Sequence, residues 1–315
     1  MFDAVSRSDG HTRQRAIGSL RIGFKLRGTE TVLDTLYQQG CLKARLPAVE
    51  AGGWRGAVTL NSSGGVAGGD RLDTAITLAD GTRASISAQA AERFYRALPG
   101  GSPAVVRTQA SLGAGARLEW LPQETILFDR CALDRRLDVE MAEDAVFLGL
   151  EMLVFGRLAM GEAVRTGSLR DLIRVRRGGR LIWHDAIRME GEIDAMLRRP
   201  AVANGARALA TIVYVGPDAE ARLDAVRAIG GGDAPDGVDG HAGIPADGHH
   251  DGRNLAGAYP PSMRGDAMTE IAASAWDGML ITRVLASTSA NLRSAVMCVL
   301  GVLRDERPLP RVWLC

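Results

Sequence analysis

Along the first two-thirds of the chain, apolar and polar residues alternate with the two-residue period of strands, not the 3.6-residue period of helices. In "RLDTAITLADGTRASISAQA", Leu72, Thr74, Ile76 and Leu78 share one parity, and Ala84, Ile86 and Ala88 resume the alternation after Asp80-Gly81. An Asp-Gly pair between alternating runs predicts a hairpin, because its turn positions require positive φ. "LIRVRRGGRLIWHDAI" predicts a second hairpin about Gly178-Gly179. Further strands are expected over Ala57 to Asn61, Arg117 to Leu121, Thr125 to Phe128, Leu137 to Met141, Ala208 to Val215 and Gly278 to Leu285. "DAVFLGLEMLVFG" is apolar throughout, and its period does not separate a buried strand from a short helix.

Helical spacing appears late. Asp218 to Ile229 sets Ala221, Ala225 and Ile229 four residues apart, with Gly230 placed as the residue that ends the helix. Ser289 to Glu306 carries Leu292, Val296, Val299, Leu300 and Leu303 on one face, with Ser289 as the expected N-cap and Met297 and Cys298 as packing residues. Between the last strands, Gly230 to Ser262 is dominated by Gly, Asp, Pro and His and predicts an insertion with little to contribute to a core. His241, His249 and His250 sit there without the fixed geometry that a metal site needs. The domain reading is a tail over residues 1–17 and one domain over 18–315, interrupted by that insertion. No fixed period repeats, which an irregular β-solenoid would also give.

Composition narrows the function classes. An apolar fraction of 46% supports a real core, and a net charge of +1 supplies no general attraction to nucleic acid or membranes. Aromatics at 5% do not suggest stacking platforms for single-stranded nucleic acid. Cys41, Cys131, Cys298 and Cys315 are far apart, which excludes a CxxC redox or zinc pair. The first twenty residues are polar and lack the apolar stretch of a secretory signal, and the greasiest run is too short to span a bilayer. The expectation is a soluble, cytoplasmic chain.

"NSSGGVAGGDRLD", Asn61 to Asp73, is the densest glycine run. It lacks the Gly-Lys-Ser/Thr ending of a phosphate loop, and Asp70 follows Gly69 where the lysine would stand. Gly64, Gly65, Gly68 and Gly69 do not fit a dinucleotide-binding GxGxxG turn, and no Gly-x-Ser-x-Gly elbow occurs. Only His184 lies in an ordered-looking element, and beside Trp183 it reads as a partly buried structural residue more readily than as a catalytic base. What remains is carboxylate and arginine: Asp70, Arg71, Glu92, Arg93, Arg96, Glu119, Glu124, Asp129, Glu151, Arg157 and Glu162. Glu151 stands out, because a carboxylate in an apolar run needs a partner or a cation. Glu151, Arg157 and Glu162 around Gly156 and Gly161 either form a buried polar network or line a water-filled path.

Taken in order, "SSGGVAGGDRL", "SAQAAERFYRA", "LPQETILF", "GRLAMGE" and "LPRVW" resemble the urease accessory protein family UreD, also called UreH. The resemblance runs from about Gly18 to Trp313. It departs in two places: Arg93 stands where lysine is common, and the Gly230 to Ser262 segment is longer than usual. The resemblance implies a mainly β fold, an irregular right-handed β-helix-like solenoid with a few α-helices toward the C-terminus. It implies a scaffold, not an enzyme, that binds the urease structural subunits, UreF and, through UreF, UreG, and helps deliver nickel through an internal channel. No tightly bound cofactor is implied, only nickel in transit, and neither nucleic acid nor membrane is a partner. On that basis Gly64, Gly65, Gly68, Gly69, Asp70, Arg71, Arg93, Tyr95, Arg96, Glu124 and Arg157 are candidates for channel-lining or partner-facing positions. Asp70, Glu151 and Glu162 are candidates for transient nickel contact. Two other classes stay open: a hydrolase on a β-solenoid using a carboxylate pair such as Glu151 and Glu162, and a scaffold without metal contact.

Overall fold

The structure, a computed structural model, describes residues 15–47, 54–157, 160–231 and 268–314. Most of the expected tail and insertion lie outside the described residues, with His11, His241, His249, His250 and Cys315. The early strands are β1 (Ile17–Arg27), β2 (Glu30–Gly40), β3 (Leu42–Arg45), β4 (Arg55–Asn61), β5 (Arg71–Leu78) and β6 (Arg83–Ala88). Next come β7 (Glu92–Phe94), β8 (Ala104–Leu112), β9 (Arg117–Leu121), β10 (Thr125–Leu127), β11 (Ala132–Met141) and β12 (Val146–Phe155). The last are β13 (Gly167–Arg177), β14 (Arg180–Gly191), β15 (Ala208–Val215), β16 (Thr269–Trp276) and β17 (Met279–Ala286). Among the described residues three helices accompany them: α1 (Ile193–Leu197), α2 (Leu223–Gly231) and α3 (Ser289–Leu303). The chain is mainly β, with few helices, mostly toward the C-terminus.

The strands form two sheets among the described residues. One has seven strands in the order β14-β13-β11-β8-β5-β1-β2, and the other has ten along β16-β17-β15-β12-β9-β6-β4-β3 with β7 and β10 attached. From β4 to β13 the long strands alternate between the sheets, and neighbours within each sheet run parallel. Antiparallel pairs finish both ends, β1 with β2 and β3 with β4 at one, β13 with β14 and β12-β15-β17-β16 at the other.

This path corrects the first hairpin. Asp80-Gly81 does turn the chain, with Gly81 at φ +69°, but β5 and β6 join different sheets and do not pair. The turn stacks on its successors instead. Thr82 N–H donates to Ala79 O, Ala116 N–H to Gly113 O, and Ala145 N–H to Ala142 O, giving three like corners. Asp80 accepts from Ala114 N–H at 2.8 Å, and Asp144 from Gly115 N–H at 2.9 Å, so acidic side chains tie one corner to the next. The Gly178-Gly179 hairpin forms as expected, joining β13 to β14 with a bulge after Val175.

The apolar run over β12 is a strand buried on both faces, which explains its missing alternation. Phe147, Leu153 and Phe155 pack into the core between the sheets, while Leu148, Leu150, Met152 and Val154 pack into a second core under α3. α3 buries Leu292, Val296, Val299, Leu300 and Leu303 as its spacing predicts, and Met297 packs against that core. Its N-cap is Thr288, not Ser289: the Thr288 hydroxyl accepts from Asn291 N–H at 3.2 Å. α2 starts later than expected, after a 3-10 turn over Glu220–Arg222, and Gly230 lies inside it.

Candidate functional site

The glycine run forms a loop between β4 and β5, and its conformation explains its composition. Ser63 N–H donates to Asn61 Oδ1 at 3.0 Å, and Gly64 and Gly65 follow at φ +78° and +134°. A Cβ on Gly65 would lie 2.4 Å from the Tyr95 ring, so the close approach requires glycine. Asp70 is buried. Its carboxylate accepts from Ala16 N–H at 2.9 Å and Ala67 N–H at 2.7 Å, which ties the loop to the start of β1. Arg71 opens β5 and is exposed; Gly68 and Gly69 form the bend before Asp70.

Segments far apart in sequence then stack beside this loop. Val66 bridges Phe94 in parallel; Phe94 pairs with Leu127 and Leu127 with Phe155. Val66 N–H donates to Arg93 O, and Tyr95 N–H to Val66 O, both at 2.8 Å. Tyr95 OH reaches Gly64 O at 3.0 Å, and its ring meets Phe128 edge-on at 4.9 Å. Arg157 lies over the Phe128 ring at 4.3 Å and pairs with Glu162 at 2.7 Å. The glycine loop, "AERFYRA", "ETILF" and the pair Arg157 and Glu162 therefore make one corner of the molecule, where Arg93 and Arg96 are exposed.

Glu124 has a different surrounding. It is buried and pairs with Arg293 of α3 at 2.9 Å, and the same guanidinium holds Gln123 Oε1 at 2.7 Å and Trp313 O at 2.8 Å. Trp313 Nε1 donates to Leu121 O at 3.2 Å, so "LPRVW" is clamped onto "LPQET". Glu119 is buried between Arg304 and Arg307.

On the inner side of the corner, a cavity of about 280 Å³ reaches between the sheets, lined among others by Asn61, Gly65, Glu92, Thr125 and Arg135. Burial pushes the Glu92 carboxyl up, against a hydrogen bond from Asn61 Nδ2 at 3.2 Å. Arg135 closes the inner end. It makes a two-point pair with Asp171 (2.9 and 2.6 Å), meets Glu151 at 2.6 Å and donates to Thr125 Oγ1 at 2.8 Å. Glu151 also accepts from Trp120 Nε1 at 3.2 Å. Burial pushes its carboxyl up, to about 7, against the pull of Arg135. The row continues in register from Glu151 to Thr211 and Arg283. Arg283 donates to Thr211 Oγ1 and pairs with Asp185, each at 2.6 Å. Charged and hydroxyl groups thus form a seam between the sheets, from the glycine loop to the far strands, where the Trp183 and Trp276 rings meet at a tilt with centroids 5.7 Å apart.

Chemically, this seam offers oxygen ligands and exchangeable hydrogen bonds, not a closed cage. Among the described residues no group of three His, Cys, Asp or Glu is placed to hold a metal ion. Asp70, Glu151 and Glu162 lie in three separate settings: the loop clamp, the seam and the outer corner. Glu162 lines an outer cavity with Tyr95 and Arg96, which Glu151 does not line. His184 is exposed on β14, not partly buried as its tryptophan neighbour suggested. Cys131 packs into the core with its thiol pushed up by burial to about 12.

Arg135, Asp171, Asp185 and Arg283 were not singled out by the sequence reading, although a signal existed for the first two. Leu133, Arg135, Leu137 and Val139 share a parity, as do Leu169, Asp171, Ile173 and Val175, so each charge occupies a core-facing position.

The family model described as "UreD urease accessory protein" matches residues 16–314. A urease accessory protein UreD from Methylobacterium sp. (strain 4-46) is 43% identical over 302 residues, 96% of this chain and 95% of that protein. Proteins of the same name from Rhizobium leguminosarum bv. trifolii (strain WSM2304) and Rhizobium leguminosarum bv. viciae are each 40% identical. The first covers 96% of this chain and 97% of its own length, the second 95% and 96%. No helix among the described residues is long and apolar enough to cross a membrane.

Proposed function

The chain belongs to the UreD family of urease accessory proteins, and on that premise we propose that it is a non-catalytic scaffold that carries nickel to apo-urease along the seam between its sheets. The partners in this reading are the urease structural subunits and UreF, with UreG joined through UreF. The supporting observation is the row Glu92, Arg135, Glu151, Asp171, Thr211, Arg283 and Asp185, half-buried at its ends and buried at Arg135, Glu151, Asp171 and Thr211, which continues a cavity opening beside the glycine loop. Divalent nickel binds nitrogen and sulfur sites tightly, so a conduit works better with carboxylate and hydroxyl oxygens that release it. Two carboxylates share the Arg135 guanidinium, so that ionised Glu151 leaves a net negative charge there, which favours a cation. The fold reading in this proposal is the irregular right-handed solenoid, supported by the alternation of parallel strands between the sheets and by the stacked corners.

The test is maturation itself. Urease subunits co-expressed with UreF, UreG and the remaining accessory proteins at limiting nickel should become active with this chain and stay inactive without it. Equal activity in both would overturn the proposal.

A further inference from the structure

The outer face of the stacked corner carries a second cavity, of about 550 Å³, between the segment after β7 and the segments after β10 and β12. Arg96, Arg130 and Arg165 line it. Among the described residues, the side chains of Arg96 and Arg165 have no ion pair, and Arg130 reaches only Asp129, at 3.5 Å. The two carboxylates present are otherwise engaged. Asp129 accepts from Arg165 N–H at 2.8 Å and Thr166 N–H at 3.1 Å, and Glu162 is paired with Arg157. This differs from the arginine-rich face of the seven-stranded sheet, where Arg107 pairs with Asp134, Arg174 with Asp138 and Arg176 with Glu140. There these three charges meet cross-strand carboxylates; at the corner Arg96 and Arg165 meet none among the described residues.

Two further features mark the cavity as a contact surface. Arg130 has φ +61°, a conformation that costs a non-glycine residue energy, and its N–H is held by Thr166 O at 2.9 Å. The edge-on Tyr95–Phe128 pair lines it, and two exposed apolar side chains lie on its flanking segments, Leu98 at 44% and Met160 at 73%. A guanidinium presents its donors in a planar fork that matches a carboxylate at two points.

We infer that this cavity docks an acidic segment of a partner protein, with glutamate or aspartate carboxylates on Arg96, Arg130 and Arg165 and adjoining apolar side chains on Leu98 and Met160. The inference rests on the reading of the chain as a complex-forming accessory protein, and it assigns the partner's contact chemistry to this corner.

The experiment uses the full chain and a dye-labelled octaglutamate peptide, followed by fluorescence anisotropy at low salt. Binding is expected, and Arg96→Gln/Arg130→Gln/Arg165→Gln should weaken it about tenfold or more, the sum of three exposed charge pairs. Arg170→Gln/Arg180→Gln/Arg188→Gln, on the outer strands β13 and β14, should leave it unchanged. Arg96→Ala alone gives a milder variant should the triple one fold poorly, and is expected to weaken binding by a smaller factor. Equal loss from both triple variants would overturn the inference, as would displacement by inorganic phosphate as effective as by unlabelled peptide. Urease activation by the unchanged chain is measured in parallel, so that an inert corner on an active accessory protein is distinguished from failure of the accessory role.

Discussion

Asp70 and Glu151 are both buried carboxylates, and their partners separate their roles. Asp70 spends both oxygens on backbone N–H groups of Ala16 and Ala67. Asp70→Ala removes the partner of two half-buried donors, at a cost of about 1 kcal/mol for each, and is expected to lower the thermal unfolding midpoint. Glu151 instead shares Arg135 with Asp171. Burial raises its folded-state pKa from 4.5 to about 7, so the folded chain holds this proton more tightly than the unfolded chain. The stability contributed by the proton is fully present below the unfolded value and is lost as pH rises through about 7. Urea unfolding at pH 5 and pH 7.5 should show that loss, and Glu151→Gln should flatten it. At this scale the sequence was partly legible. A charge at a core parity position marks Glu151, and marks Arg135 and Asp171 equally well, but their pairing across two sheets has no local signature.

At the scale of elements, strands and helices follow from period, whereas their partners do not. β5 and β6 lie where alternation places them, yet the Asp-Gly turn between them is a corner between sheets. The same residues suit either role, and Ala114, outside the run, decides it by accepting from Gly81 N–H at 2.8 Å. β12 was ambiguous because both its faces are covered. The motifs of the family acquire element-level reasons: Gly65 gives way to Tyr95, and Trp313 fastens the C-terminal segment to β9. Gly65→Ala should destabilise the chain, since the added methyl would sit 2.4 Å from the Tyr95 ring. Trp313→Ala removes a buried indole and its hydrogen bond and is expected to cost roughly 3–5 kcal/mol, read as a lower denaturant midpoint.

For the whole molecule, the long-range order of the motifs carried more than any one of them. All but the C-terminal one meet at one stacked corner with a cavity on each side, an inner one beside the seam and an outer one lined by three arginines. That convergence is invisible to periodicity, because Phe94, Leu127 and Phe155 meet only through parallel stacking of distant strands. A nickel route along the seam is read from the nickel content of urease co-purified with this chain. Glu151→Gln keeps the size of the side chain and leaves Arg135 its two-point pair with Asp171, so the complex should still assemble. The expected result is a several-fold lower nickel content per urease at limiting nickel; full nickel loading in an intact complex would contradict a route along the seam.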